Sequence, residues 1–347
     1  MIVKIPPFSL IILTISLAYS TTILGVELSV SKSSDSMYTI SGSNFGVAQE
    51  AIIHDDFDEG VSGQELKNFS VSSNSLSQNP IYNDLTAVTG KNSGNSRFLG
   101  SNFNSTAEHK GLGGLDHVYL SYYVKVDHLR GDLSRNIKLV RLSSGYKSKY
   151  IQMTGITLFH NNGSGIFYNY TGGTGDSNKN QKWISASSLI DGKWHRVEYH
   201  LILSSPAGNA NGSATLKIDN KIVSNFENVV TEYTGNRVEW ITLPYYVAHD
   251  AGGDYNIYYD NVVVSKNPAR VEVCSSADYS SCQKPVLAKV TNWSNNEIRL
   301  KYPSGTNKYF YTFNGENNLL NDKGALMCST CSTPPSTSPP LPPGDFK

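Results

Sequence analysis

At 347 residues the chain can hold one large domain or two medium ones, and its 29 basic side chains balance 29 acidic ones. Only 17% of residues are charged and no long basic run occurs, which excludes a nucleic-acid role built on concentrated Lys and Arg. Hydrophobic residues, at 39%, suffice for β-sandwich cores, in which only alternate strand residues face inward.

The first 20 residues read as a secretory signal. Lys4 supplies the positive region, Phe8 to Ala18 the apolar core, and Ala18 and Ser20 the small residues before a cleavage site after Ser20. An uncleaved anchor is the rival, because no charge occurs from Ile5 to Val26, but Pro6, Pro7 and several Ser and Thr residues dilute that stretch. The expected location is therefore secreted or cell-surface, with no membrane span after cleavage.

Past the signal, strand patterns dominate. The segment Tyr38-Thr-Ile-Ser-Gly-Ser-Asn-Phe-Gly46 comes first. Alternating runs follow at Val118–Val126, Ile137–Leu142, Ile156–Phe159, Gly165–Tyr170, Trp194–Leu203, Ala214–Val223, Val238–Val247 and Tyr255–Val264, separated by Gly, Asn, Asp and Ser clusters. Asp219-Asn220-Lys221 reads as a hairpin turn between two apolar runs. No mature segment keeps a long 3.6-residue apolar period, so helices should be short and few. Eight or more strands with long connections fit an antiparallel jelly-roll sandwich.

Four cysteines, Cys274, Cys282, Cys328 and Cys331, all lie in the last quarter. In an exported chain an even count favours disulfides, with Cys274–Cys282 closing a short loop and Cys328–Cys331 a tight one. After Cys331 the Pro-rich run to Lys347 reads as an extended polyproline tail.

The middle of the chain resembles the concanavalin A-like lectin and glucanase superfamily, the laminin-G-type jelly rolls. The resemblance rests on His54-Asp-Asp-Phe-Asp-Glu-Gly60, Asp191-Gly-Lys-Trp-His-Arg-Val-Glu-Tyr199, Leu216-Lys-Ile-Asp-Asn-Lys-Ile222 and Tyr258-Tyr-Asp-Asn-Val-Val-Val264. The flanks resemble the TIG/IPT immunoglobulin-like domains, on Ile40-Ser-Gly42, Asn44-Phe-Gly46, Trp293-Ser294 and Ile298. Together they imply an all-β chain: an antiparallel jelly roll over 54–268 set into a small discontinuous immunoglobulin-like sandwich over 27–53 and 269–327. A signal at 1–20 and a proline-rich tail at 332–347 complete it. The first and last strands of a jelly roll are neighbours, so its ends can enter one loop of a host domain.

The superfamily resemblance implies a concave sheet that carries glycan. Sugar binding needs aromatic faces and planar polar groups, and the candidates are Arg141, Gln152, His160, Tyr170 and Tyr245. Simple alternation places Lys138 on the face opposite Arg141, which favours Arg141 as the cation of a cleft. A lyase acting on uronate glycans needs a group that neutralises the carboxylate, a base for the C5 proton and an acid for the leaving oxygen. Tyr246, His249 and Tyr168 are the catalytic candidates for that reaction. Trp194-His195-Arg196 reads as a packing strand instead. A retaining glucanase is disfavoured because no Glu is followed two residues later by Asp.

No cofactor is required. A structural calcium could tie the entry and exit strands through Asp56, Asp58 and Asp260, with Glu59 and the Gly60 carbonyl nearby. The reading favoured by the sequence is recognition of extracellular polysaccharide through the concave sheet. Its rivals are a polysaccharide lyase acting by β-elimination and an adhesion or structural module. The partner expected is a polysaccharide or other glycan, with no nucleic acid.

Overall fold

The structure is a computed structural model. It describes residues 28–34, 36–71, 79–98, 107–130, 137–144, 151–161, 164–171, 180–185, 189–233, 235–244, 246–247, 254–302 and 308–327. The expected signal, Cys328, Cys331, the proline tail, Tyr245 and His249 lie outside these residues. Among the described residues there is no α-helix, and no helix long and apolar enough to cross a membrane.

The fold is all-β, in four antiparallel sheets. Two eight-stranded sheets face each other as a jelly-roll sandwich. The inner sheet runs Lys221–Val229, Gly212–Ile218, His195–Ile202, His117–Arg130, Asp254–Ser265, Ser93–Phe98 and Ile81–Asn83, with Ala51–Asp55 also paired to Asp254–Ser265. The second sheet, here called the site sheet, runs Asn180–Ser185, Ser164–Thr171, Ile151–Asn161, Ile137–Ser144, Val238–Leu243, Ala107–Leu115 and Ser70–Val71. Tyr246–Val247 pairs with Ile137–Ser144 beside it.

Period-two patterning explains the core. Val118, Leu120, Tyr122, Val124 and Val126 alternate inward along one strand, and Val197, Tyr199 and Leu201 do so on its neighbour. The hairpin at Asp219-Asn220 has positive φ at both residues, 49° and 64°, the tight turn that Asp and Asn tolerate best. Phe57 seals one end of the sandwich against Phe69, Tyr82 and Tyr259, with ring centroids 5.6 to 6.4 Å apart.

Two four-stranded sheets form a second, smaller body. One runs Ser29–Ser34, Met37–Ser41, Glu297–Lys301 and Lys289–Trp293; the other runs Val286–Leu287, Arg270–Cys274, Tyr309–Phe313 and Ala325–Leu326. The early strand Met37–Ser41 thus pairs with the late strand Glu297–Lys301, Ile40 opposite Ile298. Tyr38, Ile40, Phe45, Val271, Val273, Ile298, Leu300 and Phe310 share one core. This scaffold takes the chain from residue 28, releases it into the sandwich and receives it back at Arg270. The strand Ala51–Asp55 lies wholly in the sandwich, so the entry falls a few residues before the expected 53/54 boundary. Cys274 and Cys282 are disulfide-bonded, with Cα atoms 5.9 Å apart.

The scaffold covers the outer face of the inner sheet. Alternation turns Tyr119, Ser121 and Tyr123 away from the core, and likewise Arg196 and Glu198 on the neighbouring strand. They meet a buried four-charge cluster. Arg196 Nη2 donates to Glu272 at 2.8 Å and Arg270 Nε donates to the same carboxylate at 2.6 Å. Glu198 lies 3.3 Å from Arg196 and 3.5 Å from Arg270. Tyr119 and Tyr279 hydroxyls donate to Glu198 and Glu272, each at 2.7 Å. The Arg270 guanidinium also sits 3.7 Å over the Phe313 ring. Two cations and two anions cancel, which is what lets the set be fully buried.

His195 is a polar tie outside the hydrophobic core. Its ring nitrogens bond Asp219 at 2.8 Å and Asp191 at 3.0 Å, which draws its pKa up and ties the hairpin to the preceding loop.

Candidate functional site

The candidate site lies on the outer face of the site sheet, the sandwich face opposite the one on which the scaffold packs. Strands between 151 and 185, and 246–247, are placed there by backbone register. A bulge at Leu139 decides which residues share that face. Val140 stands opposite Ile156 and Lys138 opposite Thr157, so Leu139 is the extra residue. Leu139 and Val140 both enter the core. Lys138 is thereby rotated onto the face that carries Arg141. The alternation expected from the sequence, with Lys138 opposite Arg141, is corrected by that one unpaired residue.

Three cross-strand rows result. The first aligns Trp183, Tyr168, Thr157, Lys138 and Tyr246. The second aligns Gln181, Tyr170, Gly155, Arg141, Thr242, Glu108 and Ser70. The third aligns Gln152, Ser143, Trp240 and Lys110. A second bulge, between Gln152 and Thr154, brings Gln152 into register with Ser143. Arg141, Gln152, Tyr168, Tyr170 and Tyr246 thus occupy register positions on one face. His160 stands opposite Gly165 and shares the register parity of Ile156, the partner of Val140, rather than that of Thr157, the partner of Lys138.

The floor of this face is unusually polar for its burial. Arg141 is 8% exposed, Thr242 3%, Glu108 2% and Ser143 3%. Lys138 is half-buried, and burial first, then the Arg141 charge, hold its ammonium below the ordinary range. The floor thus sets two cations, Lys138 and Arg141, beside a buried carboxylate, Glu108, in the row of Arg141. Sequence reasoning missed Glu108, Thr242 and Trp240. Alternation along Trp240-Ile241-Thr242-Leu243 could have found two of them. Glu108 opens a strand with three positive-φ glycines, Gly111, Gly113 and Gly114, where strand signals are weak.

The acids named for calcium are placed differently. Asp58 Oδ1 accepts N–H bonds from Lys91 at 2.7 Å and Asn92 at 3.1 Å. Asp260 accepts from Val88, Thr89 and Asn261. Asp56 accepts from the Asp58 N–H at 3.3 Å. These carboxylates face backbone donors, and among the described residues no group of three or more His, Cys, Asp or Glu could hold a metal. The charge of Asp58 also reaches Asp260, adding to the burial that raises its carboxyl.

No protein-family model matches the sequence, and no curated protein matches it. Solved structures do. The endo-β-1,4-glucuronan lyase of the fungus Trichoderma reesei matches at 14% identity, over 62% of this chain and 95% of that one, with a TM-score of 0.46. The alginate lyase Aly36B matches at 14% identity over 63% and 97%, with a TM-score of 0.48. The alginate lyase vAL-1 from Chlorella virus matches at 11% identity over 57% and 93%, with a TM-score of 0.40. Likenesses this distant say nothing about the substrate or reaction of this chain.

Proposed function

We propose that the outer face of the site sheet recognises an extracellular, uronate-containing polysaccharide and cleaves it by β-elimination. The observation that carries this reading is the bulge at Leu139, which sets Lys138 and Arg141 on one face in register with Tyr168, Tyr170 and Tyr246. Paired cations neutralise the uronate carboxylate, which stabilises the carbanion-like charge formed when the C5 proton leaves. A tyrosine or histidine takes that proton, the bond from C4 to the glycosidic oxygen breaks, a C4=C5 double bond forms and the leaving oxygen is protonated. Tyr246 and Tyr168, flanking Lys138 and Thr157 in one row, are the groups assigned to proton transfer, with His249 beyond them in sequence. Gln152, Tyr170 and Tyr245 are assigned to holding the sugar. His160 is the weakest of the named contacts, given its register parity. Export to the cell surface or medium accords with the disulfide at Cys274–Cys282.

The test is incubation with alginate, glucuronan and neutral glucans, read as ultraviolet absorbance of unsaturated ends. Unsaturated product from a uronate polymer but not from a neutral glucan supports the reading. Saturable binding of the acidic polymers without new double bonds keeps recognition and removes the lyase step. Binding to no glycan leaves the adhesion module.

A further inference from the structure

A cavity of about 330 Å³ lies away from the site rows, between the sandwich edge and the scaffold strand Lys289–Trp293. Its size falls in the range of about 300–1,000 Å³ typical of small-molecule sites. The sandwich contributes His54, Asn68 and His109, and the scaffold contributes Lys289 and Val290. His109 sits next to Glu108 on its strand, so alternation turns it from the site rows towards this edge.

The polar groups here are arranged and underused. His109 Nδ1 lies 2.9 Å from the Asn68 carbonyl, so Nδ1–H donates and Nε2 remains. Asn68 is anchored in turn, its Nδ2 donating to Asp55 at 2.7 Å. His54 Nδ1 is covered and has no hydrogen-bond partner among the described residues, which leaves Nε2 as its remaining polar atom. Burial, then the Lys289 charge, hold the His54 imidazole down at about 4, so it is neutral near pH 7. Lys289 is exposed, and among the described residues no ion pair holds it. Ile52, Ile53 and Val290 line the remainder with aliphatic surface.

We propose that this interdomain cavity is a second binding site, taking a small carboxylate of monosaccharide size. Lys289 supplies the charge for the carboxylate, His109 Nε2 accepts from a ligand hydroxyl, and the aliphatic wall accepts the ring. The inference stands apart from the proposed function and does not require turnover at the sheet. A ligand held here touches both bodies at once and ties the sandwich edge to the scaffold.

The experiment is calorimetric titration of the full chain with glucuronate, cyclohexanecarboxylate and glucose, repeated for Lys289→Ala and His54→Phe. The expected result is saturable binding of glucuronate, weakened about tenfold or more by Lys289→Ala, and absent for glucose. Cyclohexanecarboxylate keeps the Lys289 contact but has no hydroxyl for an imidazole, so it should bind more weakly than glucuronate. Lys289 is exposed, so its variant folds, and weaker binding in His54→Phe at an unchanged melting temperature supports the buried wall as part of the site. No saturable binding, equal binding of glucose, or an unchanged affinity in Lys289→Ala would each overturn the inference. Lyase activity unaffected by Lys289→Ala keeps this outcome separate from that of the sheet face.

Discussion

Asp260 lies wholly inside the sandwich and receives backbone N–H bonds from Val88 at 2.7 Å, Thr89 at 3.1 Å and Asn261 at 2.6 Å. Burial pushes its carboxyl up to about 8 against those three donors. An amide cannot accept on both of its polar atoms, so Asp260→Asn strands at least one buried donor. It should cost about 1–3 kcal/mol in urea denaturation. Three histidines act in the other direction. His54 is held at about 4 and His200 at about 3, chiefly by burial, and His117, 2.5 Å from His200 through the Nε2 atoms, is lowered by the same cause. Each binds its proton less readily folded than unfolded, so the unfolded state gains protons first as pH falls below the ordinary value of 6.5. Stability should therefore drop as pH falls from about 6.5 towards about 4, and His200→Phe should flatten that drop by about 1–2 kcal/mol, read as melting temperature against pH. Residue types were legible at this scale; their environments were not. Asp260 looked like a metal ligand because an acid on an exit strand is only a formula until the Val88–Asn92 loop is known to fold over it.

The element that decides the site is a single strand, Ile137–Ser144, with one surplus residue. With Leu139 paired in unbroken alternation, Lys138 would point at the core and Arg141 would stand as a lone cation. Lys138→Ala should weaken binding of an acidic glycan about tenfold while leaving the melting temperature close to the parent, because Lys138 is only half-buried. Deleting Leu139 should remove the bulge yet keep Lys138 opposite Thr157 and Arg141 opposite Gly155, so acidic-glycan binding should survive while loss of the buried leucine costs about 2–5 kcal/mol, read by chemical denaturation. A second element, the loop around Gly90, wraps the Asp58 carboxylate. Gly90 has a φ of 60°, and a Cβ there would overlap that carboxylate. Gly90→Ala should cost about 2–4 kcal/mol, measured by chemical denaturation. Alternation in Val118–Val126 and Trp194–Leu203 was visible in the sequence because those strands are regular. A bulge leaves no such trace, since an extra Leu between Lys and Val is as compatible with unbroken alternation as with a kink.

At the level of the whole molecule the two bodies are joined through buried charge. Arg196 and Arg270 are each 1% exposed, Glu272 0% and Glu198 4%. Removing Glu272 leaves two guanidiniums with one carboxylate in a dry interface, so Glu272→Ala should cost about 3–5 kcal/mol and split the cooperative unfolding transition seen by calorimetry. The sequence by itself determined the all-β class and the hairpin at Asp219-Asn220, because period-two patterning and turn chemistry are local properties. That 27–53 belongs with the strands after 268 is an expectation from the resemblance of the two ends to one immunoglobulin-like domain; the register that sets Ile40 opposite Ile298 comes only with the fold. Only the tertiary structure decided which face of the inner sheet is covered by the scaffold. The scaffold covers the outer face of the inner sheet because Arg196, Glu198, Arg270 and Glu272 neutralise one another there, and charges from distant strands can be matched only once the chain has folded. It likewise decided that Lys138 joins Arg141, because a bulge becomes defined only when the partner strand Ile151–Asn161 is in register.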